Sequence, residues 1–220
     1  MKNKKNILVI APHADDEVLG CGGYIIDQGR KGHNVHVLIL CLGGYTPYSK
    51  KQQENAVNRM QELDACCKVM GCTYEVLFHG RESMMDSVDR VAVTSAFDLV
   101  LGEKDWDEVF LPYPSHHQDH KICYEQGMAA LRHKHGVRGP RVIALYEYQF
   151  IQDVPKGGLW YHDISKWIND KVKAFECYES QMKLGPSPLN RNGIYALAQM
   201  RGMQGQYRFA ERFYIQQWHT

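Results

Sequence analysis

Two short stretches hold the residues most able to do chemistry. Ala11-Pro12-His13-Ala14-Asp15-Asp16-Glu17 sets one imidazole and three carboxylates where the apolar run Ile7-Leu8-Val9-Ile10 stops. Far downstream, Pro112-Tyr113-Pro114-Ser115-His116-His117-Gln118-Asp119-His120 follows a second apolar run, Val109-Phe110-Leu111. His13 and Asp16 are three apart at a strand-to-helix turn, so both can aim at one point. His117 and His120 are also three apart, at the start of a helix, and share one of its faces. A His, Asp, His set drawn from two distant segments, with a position left for water, is the open arrangement of a catalytic zinc site. The chemistry expected is therefore metal-dependent hydrolysis.

The remaining groups fall into supporting roles. Asp15 cannot easily ligate the same ion beside Asp16, but it can reach water held there and accept its proton as general base. Adjacent ionised carboxylates repel, and a divalent cation offsets that repulsion. The second imidazole, His117, would stabilise an oxyanion or protonate the leaving group. Asp119, between two histidines, is placed to hydrogen-bond an imidazole and fix its orientation. His116 reads as a neighbour of the site, and His33, His36, His133 and His135 as surface or helix-end residues.

These groups need a scaffold that brings two remote loops together. Apolar runs at 7–11, 35–41, 74–78, 109–111 and 142–146 read as strands. Helical stretches at 17–31, 52–70, 87–102 and 120–133 separate them. Strands apolar on both faces and alternating with helices predict a Rossmann-like α/β three-layer sandwich with a mostly parallel sheet. In such sheets ligands bind beyond the carboxyl ends of the strands, at the switch point in strand order. The first and fourth strands flank that point in the common order, and each is followed by one of the two clusters. From about Gln149 the alternation fades into helices at 165–181 and 193–204 joined by a Gly-Pro-Ser-Pro loop. The expectation is one domain over 1–220, with a core at 1–148 and a helical or irregular cap at 149–220.

Composition removes several function classes. With 44% hydrophobic residues in 220, the chain can bury a full core. A formal net charge of +1 lacks the basic excess of a nucleic-acid binder, and the Lys-Asn-Lys-Lys start reads as a solvated tail. No apolar run approaches the ~20 residues of a membrane span. The seven cysteines include no Cys-x-x-Cys pair and fall mostly in apolar segments, so a reducing, cytoplasmic setting is expected. The glycines at 20, 22 and 23 lack dinucleotide-loop spacing and read as close helix packing. Trp106, Trp160 and Trp167 read as core or cap packing rather than a sugar-stacking platform.

At its chemical residues the chain resembles the PIG-L/LmbE-like N-acetylglucosaminyl deacetylases. The family's Pro-His-Pro-Asp-Asp-Glu is matched by Pro12 to Glu17, with Ala14 in place of the second proline. Its His-Pro-Asp-His is matched by His117-Gln118-Asp119-His120. Further likenesses are the glycines at 20, 22 and 23, Arg59-x-x-Glu62 before Met70-Gly71, Asp163-Ile164-Ser165, Ser180-Gln181, Arg201-Gly202 and Ala210-Glu211-Arg212-Phe213. Tyr178 stands where many members carry histidine.

The resemblance implies hydrolysis of the N-acetyl group of an N-acetylglucosamine-type sugar that is free, nucleotide-linked or conjugated. The products are acetate and a free amine, and zinc is the usual metal, with ferrous iron or another divalent ion as alternatives. It also implies His13, Asp16 and His120 as ligands, Asp15 as base, His117 as the oxyanion-side acid and Arg59 as a substrate contact. The partner expected is a small amino sugar, with no nucleic acid and no membrane span; a homo-oligomer is left open. Competing readings are a metal-dependent hydrolase of another amide or a phosphoester, and a non-catalytic sugar-binding relic of the fold.

Overall fold

Alternation along the first strand explains the layering. In β1 (Asn6–Ala11), Ile7, Val9 and Ala11 join one apolar layer, while Leu8 and Ile10 join the other. Each fully buried side chain of this kind contributes about 1.5–3 kcal/mol. A strand apolar on both sides must be covered on both. The helices α1 (Asp16–Arg30), α2 (Gln52–Met70) and α5 (Ile168–Glu176) cover the first face. On the second face lie α3 (Arg90–Gly102) and α4 (Gln118–Ala130), through Phe97, Val100, Ile122 and Cys123 among others. This computed structural model describes residues 4–44, 52–147 and 158–219.

The remaining strands are β2 (Asn34–Gly44), β3 (Thr73–Glu82), β4 (Glu108–Pro112), β5 (Val142–Tyr146), β6 (Gly158–Asp163) and β7 (Ala210–Trp218), and α6 (Arg191–Gly205) precedes β7. Their order across the sheet is β3-β2-β1-β4-β5-β7-β6. The first five are parallel, and β7 and β6 add to them antiparallel. β1 pairs with β2 on one side and β4 on the other, with Val9 opposite both Val37 and Phe110. The chain therefore reverses its direction of winding between β1 and β4. The loops after those two strands open onto one crevice, as the sequence pattern predicts.

The α/β sandwich and its mostly parallel sheet are as expected. The C-terminal stretch departs from expectation in detail, because besides helices it carries two strands. β7 was hidden by its Glu211 and Arg212, which interrupt an apolar pattern. Glu211 is nevertheless buried, accepting the backbone N–H groups of Gly23 and Tyr24 at 2.8 Å each and the Lys171 ammonium at 2.6 Å. The helix expected at 165–181 is shorter, ending at Glu176 in tight turns where Tyr178 N–H bonds back to Phe175. The boundary expected at Gln149 lies outside the described residues. The glycines of α1 serve packing. A Cβ on Gly20 would sit 2.2 Å from the Tyr146 ring, and one on Gly23 2.5 Å from Ile164.

Candidate metal centre and active site

The first loop is held in an unusual backbone conformation. Asp15, immediately before α1, has φ 142° and ψ −28°, and its side chain makes no capping bond to the helix. Such a φ lies outside the left-handed helical region and is costly for any residue with a Cβ, so its surroundings must hold it. The turn is fixed from outside. Asp15 N–H donates to Glu17 Oε2 at 2.9 Å, and the other Glu17 oxygen accepts the Tyr178 hydroxyl at 2.6 Å. Arg59, reaching from α2, donates to the Ala14 carbonyl. The result is a carboxylate, Asp15, that makes no capping bond and lies 3.9 Å from the Arg59 guanidinium.

The second loop is organised around Asp119. His117 caps α4, its Nδ1 accepting the Asp119 N–H at 3.2 Å. A ring nitrogen that accepts carries no proton, so the His117 proton resides on Nε2, which is left as a donor. Asp119 is wholly buried, accepting Ser83 N–H at 2.5 Å and Met85 N–H at 3.0 Å. Its Oδ2 also meets His13 Nε2 at 2.9 Å. This last contact ties the two loops together across the crevice.

Across that contact the expected groups converge. Asp16 Oδ2 lies 3.2 Å from His13 Nδ1 and 3.3 Å from His120 Nε2. The rings of His13 and His120 are centred 5.2 Å apart, and those of His13 and His117 5.0 Å apart. Among the described residues two groups could hold a metal ion: His13, Asp16 and His120, all buried, and His13, His117 and Asp119. In each, one ligand atom per residue lies within 4.8 Å of the others. His116, expected as a neighbour, belongs to neither group.

Electrostatics at this site are tense. Burial pushes the Asp15 carboxyl well above the usual range, the adjacent Asp16 charge pushes it further, and Arg59, 3.9 Å away, pulls back only in part. Burial opposes ionisation of Asp16 too, but His120 and His13 outweigh it and hold that carboxyl far below normal. Burial would lower His13, yet its bonds to Asp119 and Asp16 raise it well above an ordinary imidazole. His117 is lowered, by burial and then by the two neighbouring imidazoles. Glu17 is pushed up to about 6, chiefly by burial.

Arg59 sits behind the acidic turn, only 5% exposed, with its guanidinium 5.5 Å over the Tyr178 ring. Its Nε and Nη1 are buried without a hydrogen-bond partner among the described residues. Two participants escaped the sequence reading. Glu17 was visible only as the end of the acidic run, with no sign of what it holds. Tyr178 was noted for departing from a pattern, and nothing local shows that it meets a carboxylate far away in sequence.

Comparison with known proteins gives the family and agrees with the fold. The family described as PIG-L, GlcNAc-PI de-N-acetylase, matches residues 8–131. A protein of Bacillus subtilis (strain 168), named "Probable N-acetyl-alpha-D-glucosaminyl L-malate deacetylase 2", is 25% identical over 81% of this chain and 84% of its own. Among solved structures, the N,N'-diacetylchitobiose deacetylase of Pyrococcus horikoshii superposes with a TM-score of 0.79 at 23% identity, covering 97% of this chain and 84% of that one. A 4-carboxy-2-hydroxymuconate hydratase from Pseudomonas putida KT2440 superposes with a TM-score of 0.78 at 17% identity, covering 98% of each. At such identities the two structures establish the fold alone.

Proposed function

The chain belongs to the PIG-L family, and from that premise we propose that it is a zinc-dependent deacetylase of an N-acetylglucosamine-type sugar. The sugar is free, nucleotide-linked or conjugated, and the products are acetate and a free amine. The observation that carries this reading is the convergence of His13, Asp16 and His120 on one point beside Asp15. The name of the Bacillus subtilis relative supports the substrate class. The hydratase relative is a reminder that one fold hosts different reactions.

The donor set fits a divalent cation. His13 faces a carboxylate oxygen through each ring nitrogen, Asp16 at 3.2 Å and Asp119 at 2.9 Å, an arrangement that otherwise needs an extra proton on a buried ring. His120 Nε2 meets the same Asp16 oxygen at 3.3 Å. His13 Nε2 against Asp119 makes the carboxylate–histidine pair that orients a ligating ring, leaving Nδ1 for the ion. Because Asp119 is already bonded to two backbone N–H groups and to His13, the set of His13, Asp16 and His120 is preferred over the one that contains it. A cation held there supplies a Lewis acid for the amide carbonyl and activates water.

The other roles follow from position. Asp15 accepts the proton of the attacking water, whose oxygen bonds to the carbonyl carbon. His117 Nε2–H donates to the oxygen that gains charge as the carbonyl opens. When the C–N bond breaks, the nitrogen leaves with a proton that Asp15 has carried, and acetate remains. Arg59 steadies the charge of Asp15 from 3.9 Å behind the acidic turn, and its proposed role as a substrate contact rests on the family motif. The seven free thiols suit a reducing cytoplasm, and among the described residues no helix is long and apolar enough to cross a membrane.

The test is acetate release by metal-reconstituted protein from a panel of N-acetyl-glucosaminides, with and without chelator. Chelator-sensitive acetate is expected. Cleavage of other amides with none of the sugars turned over would refute the substrate class.

A further inference from the structure

At the far end of the sheet from the acid and imidazole cluster, the amino ends of the strands border an open hollow of about 730 Å³. Trp160, Trp218, Tyr24, Glu108, Gln28 and His162 are among its walls. A neighbouring hollow of about 590 Å³ shares Trp218, Glu108 and Lys5 with it. Both are of the size that small-molecule sites occupy. No step of the proposed deacetylation uses these residues.

The first clue to an occupant is aromatic. Trp218 is 56% exposed at the end of β7, and its ring meets Trp160 edge-on, at 85° with centroids 6.2 Å apart. Trp160 is itself fixed against Phe213 and Tyr24, with centroids at 5.0 and 5.4 Å. Trp160 thus does the packing its sequence context predicts and also lines the hollow. A half-open indole beside a rigid aromatic wall offers an apolar face to a flat ligand.

The second clue is that the charged walls are mostly satisfied already. Lys5 Nζ lies 2.5 Å from Glu108 Oε1, Lys31 Nζ 2.5 Å from Asp27 Oδ2, and Arg138 3.1 Å from Asp107 in the adjoining hollow. The Tyr24 hydroxyl donates to the other Glu108 oxygen. Among the lining cations Lys4 and Arg141 stand outside these pairs. Paired charges cast a weak net field, so they give an anion little attraction. They still hold donors and acceptors in set positions, with lone pairs and N–H groups to spare. An apolar face flanked by fixed donors and acceptors fits a ring whose edge carries hydroxyls and whose face carries C–H bonds.

We propose that this hollow is an accessory carbohydrate site that takes a neutral pyranose unit stacked on Trp218. The inference rests on the amino-sugar reading, which supplies the reason for the chain to meet glycans. β1 alone separates the two ends of the sheet by ~20 Å. A sugar bound here is therefore a different unit from the one whose amide reacts. It belongs to the same polymer or to a neighbouring strand of it, and holding it raises the effective concentration of substrate at the other end.

The test uses the full chain carrying Asp15→Asn, titrated with a neutral trimer of N-acetylglucosamine and followed by tryptophan fluorescence and calorimetry. Two binding events per chain are expected. Trp218→Ala in that background removes one of them or weakens it at least tenfold, and Trp218→Phe keeps most of it. With Asp15 restored, Trp218→Ala lowers the preference for a soluble polymer of N-acetylglucosamine, long enough to reach both sites, over the monomer as substrate at least fivefold. A single event indifferent to Trp218, or displacement of the sugar by inorganic phosphate, overturns the site. Thermal melting of both Trp218 variants checks folding, and the phenylalanine variant carries the test if the alanine variant fails to fold. Acetate release without Trp218-dependent binding refutes the accessory site alone. Trp218-dependent binding without acetate release refutes the deacetylase alone.

Discussion

The two ends of the sheet handle charge in opposite ways. At the amino ends Glu108, Asp27 and Asp107 are each paired with a cation, Lys5, Lys31 and Arg138. At the carboxyl ends three consecutive carboxylates, Asp15, Asp16 and Glu17, are all buried, and their partners are imidazoles, a tyrosine and Arg59. Like charges out of water oppose one another. The arrangement persists because Asp15 is held at φ 142° by groups from distant parts of the chain. The paired end is at rest as it stands, whereas the crowded end gathers a donor set able to hold a cation. On the proposed function, stability and reactivity are thus assigned to opposite edges of one sheet.

Ligand removal is the most damaging way to probe this contrast. His13→Ala and His120→Ala should each lose bound metal, measured by elemental analysis, and acetate release with it. Metal retained in His120→Ala would move the ion to the group containing His117 and Asp119. Asp15→Asn should be milder in one respect only. Asparagine has the shape of aspartate without its charge and Asp15 is not among the proposed ligands, so metal content should hold while turnover falls ~10²–10⁴-fold, the usual worth of a general base. Equal metal loss in all three variants would erase the division between base and ligands.

Stripping the metal from the native chain is the next step down. The melting temperature should fall, because the crowded carboxylates lose the ion that offsets them, and it should recover on adding metal back. No change on stripping would mean that the acidic turn does not sense an ion at all.

Tyr178→Phe sharpens the comparison from inside the crowded end. It withdraws the hydroxyl from buried Glu17, a loss of about 1–3 kcal/mol of stability. The turn carrying Asp15 then loosens, and kcat should drop about tenfold, equivalent to roughly 1.4 kcal/mol, with metal content unchanged. Tyr178→His, which restores a donor, should recover much of the rate. An unaltered kcat in Tyr178→Phe would separate Glu17 from the placement of Asp15.

The smallest effect belongs to the paired end. Burial opposes ionisation of Asp27, but Lys31, His162 and Trp167 outweigh it and hold the carboxyl below its usual value. Its contribution to stability is therefore present above the ordinary carboxylate pKa and is lost as pH falls through the lower, folded value. Lys31→Ala should cost less than about 1 kcal/mol, Lys31 being half-exposed, and should flatten the acid limb of the melting curve against pH. A loss several times larger would mean that this end is strained as well.

Much of the scaffold was legible because its signals are local. The parallel core follows from apolar runs such as Ile7 to Ala11 and Val109 to Leu111, which no single covered face could bury. Boundaries were less legible where a side chain's partner lies elsewhere. The helix expected at 165–181 stops at Glu176, and Tyr178 just beyond it is buried against Glu17. β7 escaped notice because Glu211 and Arg212 look like surface residues until their partners are known. At the site, residue types and spacing named the acid and imidazole groups, while the props beneath them, Glu17 with Tyr178 and Ser83 with Met85 at Asp119, remained invisible.

By itself the sequence determined the layered α/β architecture, the two loops that carry the chemistry and the residue types able to hold a cation, since periodicity and three-residue spacing are properties of the chain. Only the tertiary structure decided that His13 meets Asp119, that Asp16 lies between two imidazoles, and that an open aromatic hollow sits at the opposite edge. Those contacts join segments far apart in the chain, and their distances arise from how strands order and helices pack.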